Sequence, residues 1–291
     1  MGKVTNSVRL LLSLLLAATF LYSAYKLLDY YVDSQESVDL NEQIIEQSIS
    51  SISTSVSNNE DSESEIVVAD ETEPPMPVET SPISVDFDTL KEANDDVIGW
   101  LYCEDTPINY PVLQSDDNSY YLRRLVNGEW NIAGSLFMDY RNNLSNNDWN
   151  TVIYGHNMKN DSMFGTLPEY RNQDYYEQHP VMYFLTPEAD YKIELIAGFV
   201  TPSDSALYDV YLSESYRTSL YDELFKLSDF QANEYFFEKD VQLLTVSTCS
   251  YEYETARYVV VGKMIPVEKM IDVNIKQSDE SEYKKTDAET K

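Results

Sequence analysis

Residues 241–263 read VQLLTVSTCSYEYETARYVVVGK. The run 241–246 is rich in β-forming residues, and Cys249 stands where it ends. A polar stretch, 250–256, follows, and Arg257 opens a second β-run through Val261. Two β-runs joined by a short polar loop read as an antiparallel hairpin. In such a hairpin the last residue of one strand faces the first of the next, with Cα atoms roughly 4.5–5.5 Å apart. The stretch therefore predicts a thiol and a guanidinium side by side at one end of a sheet.

Outward from this hairpin, further β-type runs occupy 97–103, 108–113, 134–139, 151–154, 182–185 and 191–200, with 241–248 and 258–264 completing the set. Eight short strands separated by turn residues point to a mainly β domain, a closed barrel or a sandwich. A short leading helix is expected over 88–96. Leu220, Leu224 and Leu227 recur at helical spacing within 213–227, so an amphipathic helix interrupts the strand order there.

The thiol–guanidinium pair has a chemical use. A cation beside a thiol favours the nucleophilic thiolate, and a fixed guanidinium donor can stabilise the oxyanion of a tetrahedral intermediate. His156, in WNTVIYGHNM, also follows a short β-run and precedes a polar loop. It can carry protons near neutral pH. Each residue also has a plainer reading. Cys249 can be a buried small hydrophobe or half of a disulfide with Cys103, Arg257 a surface charge, and His156 a hydrogen-bonded turn residue. His179 precedes Pro180 and reads as a strand-entry turn, and Cys103 alternates with barrel-packing residues.

The chain has 291 residues and a formal net charge of -31. Such an acidic balance argues against a nucleic-acid partner. With two cysteines, two histidines and no Cys-x-x-Cys pattern, no structural zinc site is expected.

Residues 8–28, VRLLLSLLLAATFLYSAYKLL, approach the roughly 20 apolar residues a spanning helix needs. A cleaved signal peptide has an apolar region of about 7–15 residues and a small-residue cleavage site. Here the run continues through Tyr22, Tyr25 and Leu28, so an uncleaved anchor is expected. Lys3 and Arg9 precede it while Asp29 and Asp33 follow, which places the N-terminus in the cytoplasm and the bulk outside. No Lys or Arg occurs between Lys26 and Lys91. The expected organisation is 1–28 cytoplasmic N-terminus and membrane anchor, 29–84 acidic flexible tether, 85–273 catalytic domain and 274–291 polar tail. Leu40, Ile45, Ile49, Ile52 and Val56 fall near helical spacing, but the Ser and Thr around them weigh against a stalk helix.

At this point the sequence resembles a known family. TVSTCSYEYETARYVVVGK is similar to the active-site segment of sortases, specifically class B, with a Thr-Cys dipeptide at a strand end and an Arg opening the next strand. YGHNM resembles the family's histidine segment, DVIGWLYCEDTPINYPVLQ the start of its catalytic domain, and SLFMDYRN the strand that follows. The resemblance spans about 95–263. It implies a closed eight-stranded β-barrel with an N-terminal helix and a helix inserted, within 203–240, before the catalytic-Cys strand. It implies Cys249 as nucleophile, His156 as proton shuttle and Arg257 as stabiliser of the reacting carbonyl. By position in the matching motifs it also implies Asn109, Leu113, Tyr154 and Ser247 as groove residues and Thr248 as a positioner of the acyl intermediate. Core packing is the plainer reading of Leu113. No cofactor or metal is implied. The implied partners are secreted proteins bearing a C-terminal sorting signal, of the Asn-Pro-x-Thr type in class B relatives, and an amine of a cell-wall cross-bridge or a pilin lysine. Cys103 departs from the family, which usually has an aliphatic residue there. A surface cysteine peptidase and a non-catalytic adhesin with a Cys103–Cys249 disulfide remain as alternative readings.

Overall fold

A computed structural model describes residues 2–51, 79–146, 148–210, 212–232 and 241–270. In chain order its elements are α1 (Gly2–Ser48), β1 (Ile49–Ser51), β2 (Ile83–Val85), α2 (Phe87–Ala93), β3 (Val97–Tyr102), β4 (Asn109–Leu113), β5 (Leu136–Met138), β6 (Asn150–Tyr154), α3 (Gln173–Gln178), β7 (Val181–Leu185), β8 (Asp190–Pro202), α4 (Glu214–Leu227), β9 (Leu243–Cys249) and β10 (Ala256–Val267). Strands β3 to β10 close into a barrel in the order β10-β8-β7-β3-β4-β5-β6-β9. All eight expected β-runs are barrel strands, with ends displaced by a few residues. Two neighbouring pairs, β4 with β5 and β6 with β9, run parallel. Closure leaves no free sheet edge. The interior is filled by alternate side chains such as Leu101, Val112, Ile153, Phe184, Leu244, Val246 and Val260, all buried.

Local chemistry sets the helix ends. The Asp86 carboxylate accepts from Thr89 N–H at 3.0 Å, so α2 begins earlier than the expected 88. It stops at Asn94, whose side chain turns aside to the Tyr121 hydroxyl and the Val126 carbonyl. On α4, Leu220, Tyr221 and Leu224 pack into a second cluster with Ile196, Phe199 and Val259. Leu227, expected on that face, is 48 % exposed, and Tyr221 takes the apolar position instead.

The N-terminal segment departs furthest from expectation. The flexible tether expected from residue 29 is, over its first twenty residues, the continuation of α1 to Ser48. Ser34, Ser37, Ile44 and Ser48 are buried and Asn41 is half-buried, at successive spacings of three or four that define one helix face. Asn41 Nδ2 donates to the Asn109 carbonyl at 3.1 Å, and Asn131 Nδ2 donates to the Asp33 carbonyl at 2.8 Å. Serines are indifferent helix formers in isolation, but their small side chains allow close approach to the barrel, and tertiary packing supplies the stability that propensity lacks. β1 then pairs antiparallel with β2, Ile49 facing Val85. The rest of the expected tether, 52–78, and the expected tail, 274–291, lie outside the described residues. Upstream, the large apolar side chains from Val8 to Leu28 are exposed. This is the single helix among the described residues long and apolar enough to cross a membrane.

Candidate active site

The β9–β10 ladder pairs Cys249 with Arg257 as direct Cα partners. This is the hairpin juxtaposition expected from the sequence. The loop between them is closed by Ser250 N–H donating to the Ala256 carbonyl at 3.0 Å. Arg171, from the turn before α3, holds the loop from outside. It donates to Ser250 Oγ at 3.2 Å and to the Glu252 carboxylate, and its guanidinium lies 4.9 Å from the centre of the Tyr258 ring.

The third member arrives through a parallel pairing. β6 lies beside β9 with Tyr154 opposite Ser247. The pairing is prolonged by Gly155 N–H donating to the Ser247 carbonyl at 3.1 Å, Thr248 Oγ1 donating to the Gly155 carbonyl at 2.8 Å, and Asn157 Nδ2 donating to the Cys249 carbonyl at 3.0 Å. Following that register for two residues sets His156 level with Cys249. His156, Cys249 and Arg257 thus end three adjacent strands. Gly155 is required by space, since a Cβ there would come within 2.4 Å of Leu136 Cδ2 and 2.6 Å of the Phe164 ring.

These residues line a cleft of about 230 Å³ with Asn118, Leu122, Phe137, Tyr154, Ser203, Tyr208, Ser247 and Thr248. His156 Nε2 is 2.7 Å from the Leu122 carbonyl. A carbonyl only accepts, so Nε2 carries hydrogen and the titrating nitrogen is Nδ1. Burial, aided by Arg123, holds the His156 pKa below its ordinary value, and the Leu122 carbonyl opposes that shift.

One wall is a connected polar network. The Tyr154 hydroxyl donates to buried Asp139 at 2.9 Å, Asn118 Nδ2 donates to the same carboxylate at 2.9 Å, and Arg141 forms a two-point ion pair with it. Burial alone would raise the Asp139 pKa, but these donors outweigh it and hold the carboxyl below its ordinary value. Burial and Asp139 push Tyr154 well upward, so it stays a neutral donor. Tyr208 shares a 2.8 Å hydrogen bond with Ser247 Oγ and is pushed up to about 12, chiefly by burial.

Six of the eight expected site residues therefore meet at one cleft: His156, Cys249, Arg257, Tyr154, Ser247 and Thr248. Asn109 and Leu113 do not. Asn109 lies at the far end of β4, where its side-chain oxygen accepts from Trp100 Nε1 at 2.7 Å. Leu113 is fully buried in a core cluster with Trp100, Tyr121 and Phe137. Their places are taken by Asn118 and Leu122, which repeat the same Asn-x-x-x-Leu spacing nine residues downstream. That repetition is the signal a motif reading could have weighed. Tyr208 and Ser203 come from a turn with no distinctive pattern. Both cysteines are unlinked, and Cys103 is buried within hydrogen-bonding reach of the Tyr170 hydroxyl and the Val181 carbonyl, so the disulfide of the adhesin reading is not formed. His179 caps α3 away from the cleft, its Nδ1 3.2 Å from the Glu104 carbonyl. Among the described residues, no cluster of His, Cys, Asp and Glu is arranged to hold a metal ion.

A barrel of this topology with Cys, His and Arg at adjacent strand ends defines a class, and comparison with known proteins agrees. The sortase domain family profile matches residues 101–265. The chain belongs to the sortase family. Its relatives there are of class B. Sortase B of Listeria monocytogenes is 39% identical over 181 residues, covering 60% of this chain and 72% of that protein. Two solved forms of Staphylococcus aureus sortase B, a substrate complex and a triglycine complex, superpose with a TM-score of 0.59 at 31% identity. They cover 62% of this chain and 85% and 86% of theirs respectively.

Proposed function

We propose that this protein is a membrane-anchored class B transpeptidase that joins secreted proteins to an amine acceptor through a thioester on Cys249. The observation that carries the reading is the pairing of Cys249 with Arg257 across β9–β10, with His156 at the end of the adjoining strand. The Cys249 thiol passes its proton to His156 Nδ1, and the resulting thiolate attacks the carbonyl carbon of the scissile peptide bond. The resulting oxyanion is held by the Arg257 guanidinium. His156 gives the Nδ1 proton to the leaving amine nitrogen as the C–N bond breaks, leaving a thioester. An incoming primary amine then attacks the thioester and loses a proton to His156. The C–S bond breaks and the thiolate returns.

Tyr154, Tyr208, Ser247 and Thr248 form the wall against which the acyl segment lies. The substrate complex and the triglycine complex of Staphylococcus aureus sortase B support a peptide donor and an amine acceptor. The expected donor motif ends in Thr, of the Asn-Pro-x-Thr type. The apolar first half of α1 serves as a single membrane crossing with the N-terminus inside. Incubating the protein with a small peptide library and candidate amines, read by mass spectrometry, tests the reading. Amide products dependent on both peptide and amine are expected. Hydrolysis alone, unchanged by any amine, would make the protein a peptidase instead.

A further inference from the structure

The loop between β4 and β5 connects two parts of the molecule that the sequence does not link. On its inner side, the Leu122 carbonyl holds His156 Nε2 at 2.7 Å. On its outer side, Asn131 is fully buried against α1. Its Nδ2 donates to the Asp33 carbonyl at 2.8 Å and to Glu36 Oε2 at 3.2 Å. Its Oδ1 accepts from Ala133 N–H at 2.9 Å, and its own N–H donates to the Arg123 carbonyl at 3.0 Å, one residue from Leu122. Every hydrogen-bonding group of the Asn131 side chain therefore has a partner on α1 or within the loop.

The loop itself has little room to adjust. Ser135 N–H donates to the Tyr121 carbonyl at 3.0 Å, and Arg123 Nη1 donates to the Ile132 carbonyl at 2.9 Å. Gly134 adopts φ +59°, and a Cβ there would lie 2.5 Å from the Tyr121 oxygen and 2.7 Å from the Leu122 oxygen. The carbonyl that fixes the histidine is thus packed directly against the segment that Asn131 ties to α1. Asp33 and Glu36 lie only five and eight positions beyond Leu28, the end of the apolar run.

We propose that Asn131 is a positioning residue for the reaction. It ties the membrane-proximal turn of α1 to the loop whose Leu122 carbonyl fixes the orientation and tautomer of His156, so that the docked helix is part of the catalytic apparatus. This rests on the reading of His156 as the proton carrier. A residue one shell removed from the chemistry matters here because a misplacement of about 1 Å can cost on the order of a hundredfold in rate.

The test uses the full chain in detergent micelles with His179→Gln, so that His156 is the one remaining imidazole. Its nitrogen chemical shifts report the tautomer directly. Two variants approach the tie from opposite sides. Asn131→Ala removes it from the loop. Ser34→Trp places a large side chain at a position of α1 that is 3% exposed, to lever the helix away while leaving the sequence of the loop unchanged. In both, the His156 signal is expected to lose its Nε2–H preference, and kcat for amide formation to fall about tenfold, within the range that small misplacements of reacting groups cause, while KM changes less than twofold. Circular dichroism identifies the folded variants. If either folded variant kept the tautomer and kcat of the parent, the proposal would be overturned. A purely structural role would lower the melting temperature and leave both readouts unmoved. Turnover retained by His156→Ala would instead defeat the catalytic reading, while the tautomer shift would still report on the tie.

Discussion

Arg257 is the Cα partner of Cys249, and its guanidinium is turned back to donate from Nη1 to the Ala256 carbonyl at 2.9 Å. Both residues line the cleft. Removing such a donor from an acyl-transfer site typically costs a factor of about 10²–10³ in kcat. Arg257→Ala is expected to show a loss of that order. Arg257→Lys should recover only part of it, because an ammonium cannot keep one donor on a carbonyl and aim others in a fixed plane. Steady-state kinetics with peptide and amine check both.

The two cysteines differ in setting, and their reactivity should differ accordingly. Cys103 is fully buried, and burial raises its pKa, so it persists as an inert thiol. Cys249 opens on the cleft. Alkylation of the native protein, mapped by peptide mass spectrometry, should mark Cys249 and spare Cys103. Cys249→Ala should fold and form no thioester. Cys103→Ala should keep its activity and lose about 1 kcal/mol of stability, the usual scale of a core truncation this small.

His156 couples stability to pH in a definite direction. Its folded pKa lies below the ordinary 6.5 because of burial first and Arg123 second. Between the folded and unfolded values the unfolded chain binds more protons, so stability rises with pH. The contribution is present above about 6.5 and is lost as pH falls toward the folded value. His156→Gln should therefore flatten the drop in melting temperature between pH 7.5 and 5.0. An equally steep drop in the variant would contradict this.

The sequence alone makes residues before Val85 dispensable to the folded domain, but the docked part of α1 predicts otherwise. A chain beginning at Asp29 should be more stable to urea than one beginning at Val85. The shorter chain loses Ile44, the Asn131 contacts and the β1–β2 pairing. Within the longer chain, Ile44→Ala should cost about 2 kcal/mol, the lower end for a buried isoleucine.

What was legible in the sequence follows from how local each feature is. The Cys249–Arg257 pairing spans eight residues and one loop, so hairpin geometry places it without knowledge of the rest. The barrel strands were legible because their composition and turn spacing repeat. The partnership of β6 with β9 was not, since a parallel neighbour nearly a hundred residues away leaves no local mark; His156 was singled out by its place after a β-run and by the family resemblance, not by any visible pairing with the Cys249 strand. Asn109 and Asn118 each carry a Leu four residues on, and only the fold shows that the second pair lines the cleft. Serine-rich helix faces such as Ser34, Ser37 and Ser48 read as tether because their packing partner is the barrel.

The continuity of α1 has a consequence for reach. A helix rises about 1.5 Å per residue, so the six residues from Leu28 to buried Ser34 amount to about 9 Å. With the apolar segment embedded in a bilayer, the barrel would ride at a nearly constant height above the lipid, without the sweep of a flexible leash. Only substrates whose cleavage point is presented at that same altitude would meet the thiol, which favours donors still held in the membrane over those already released.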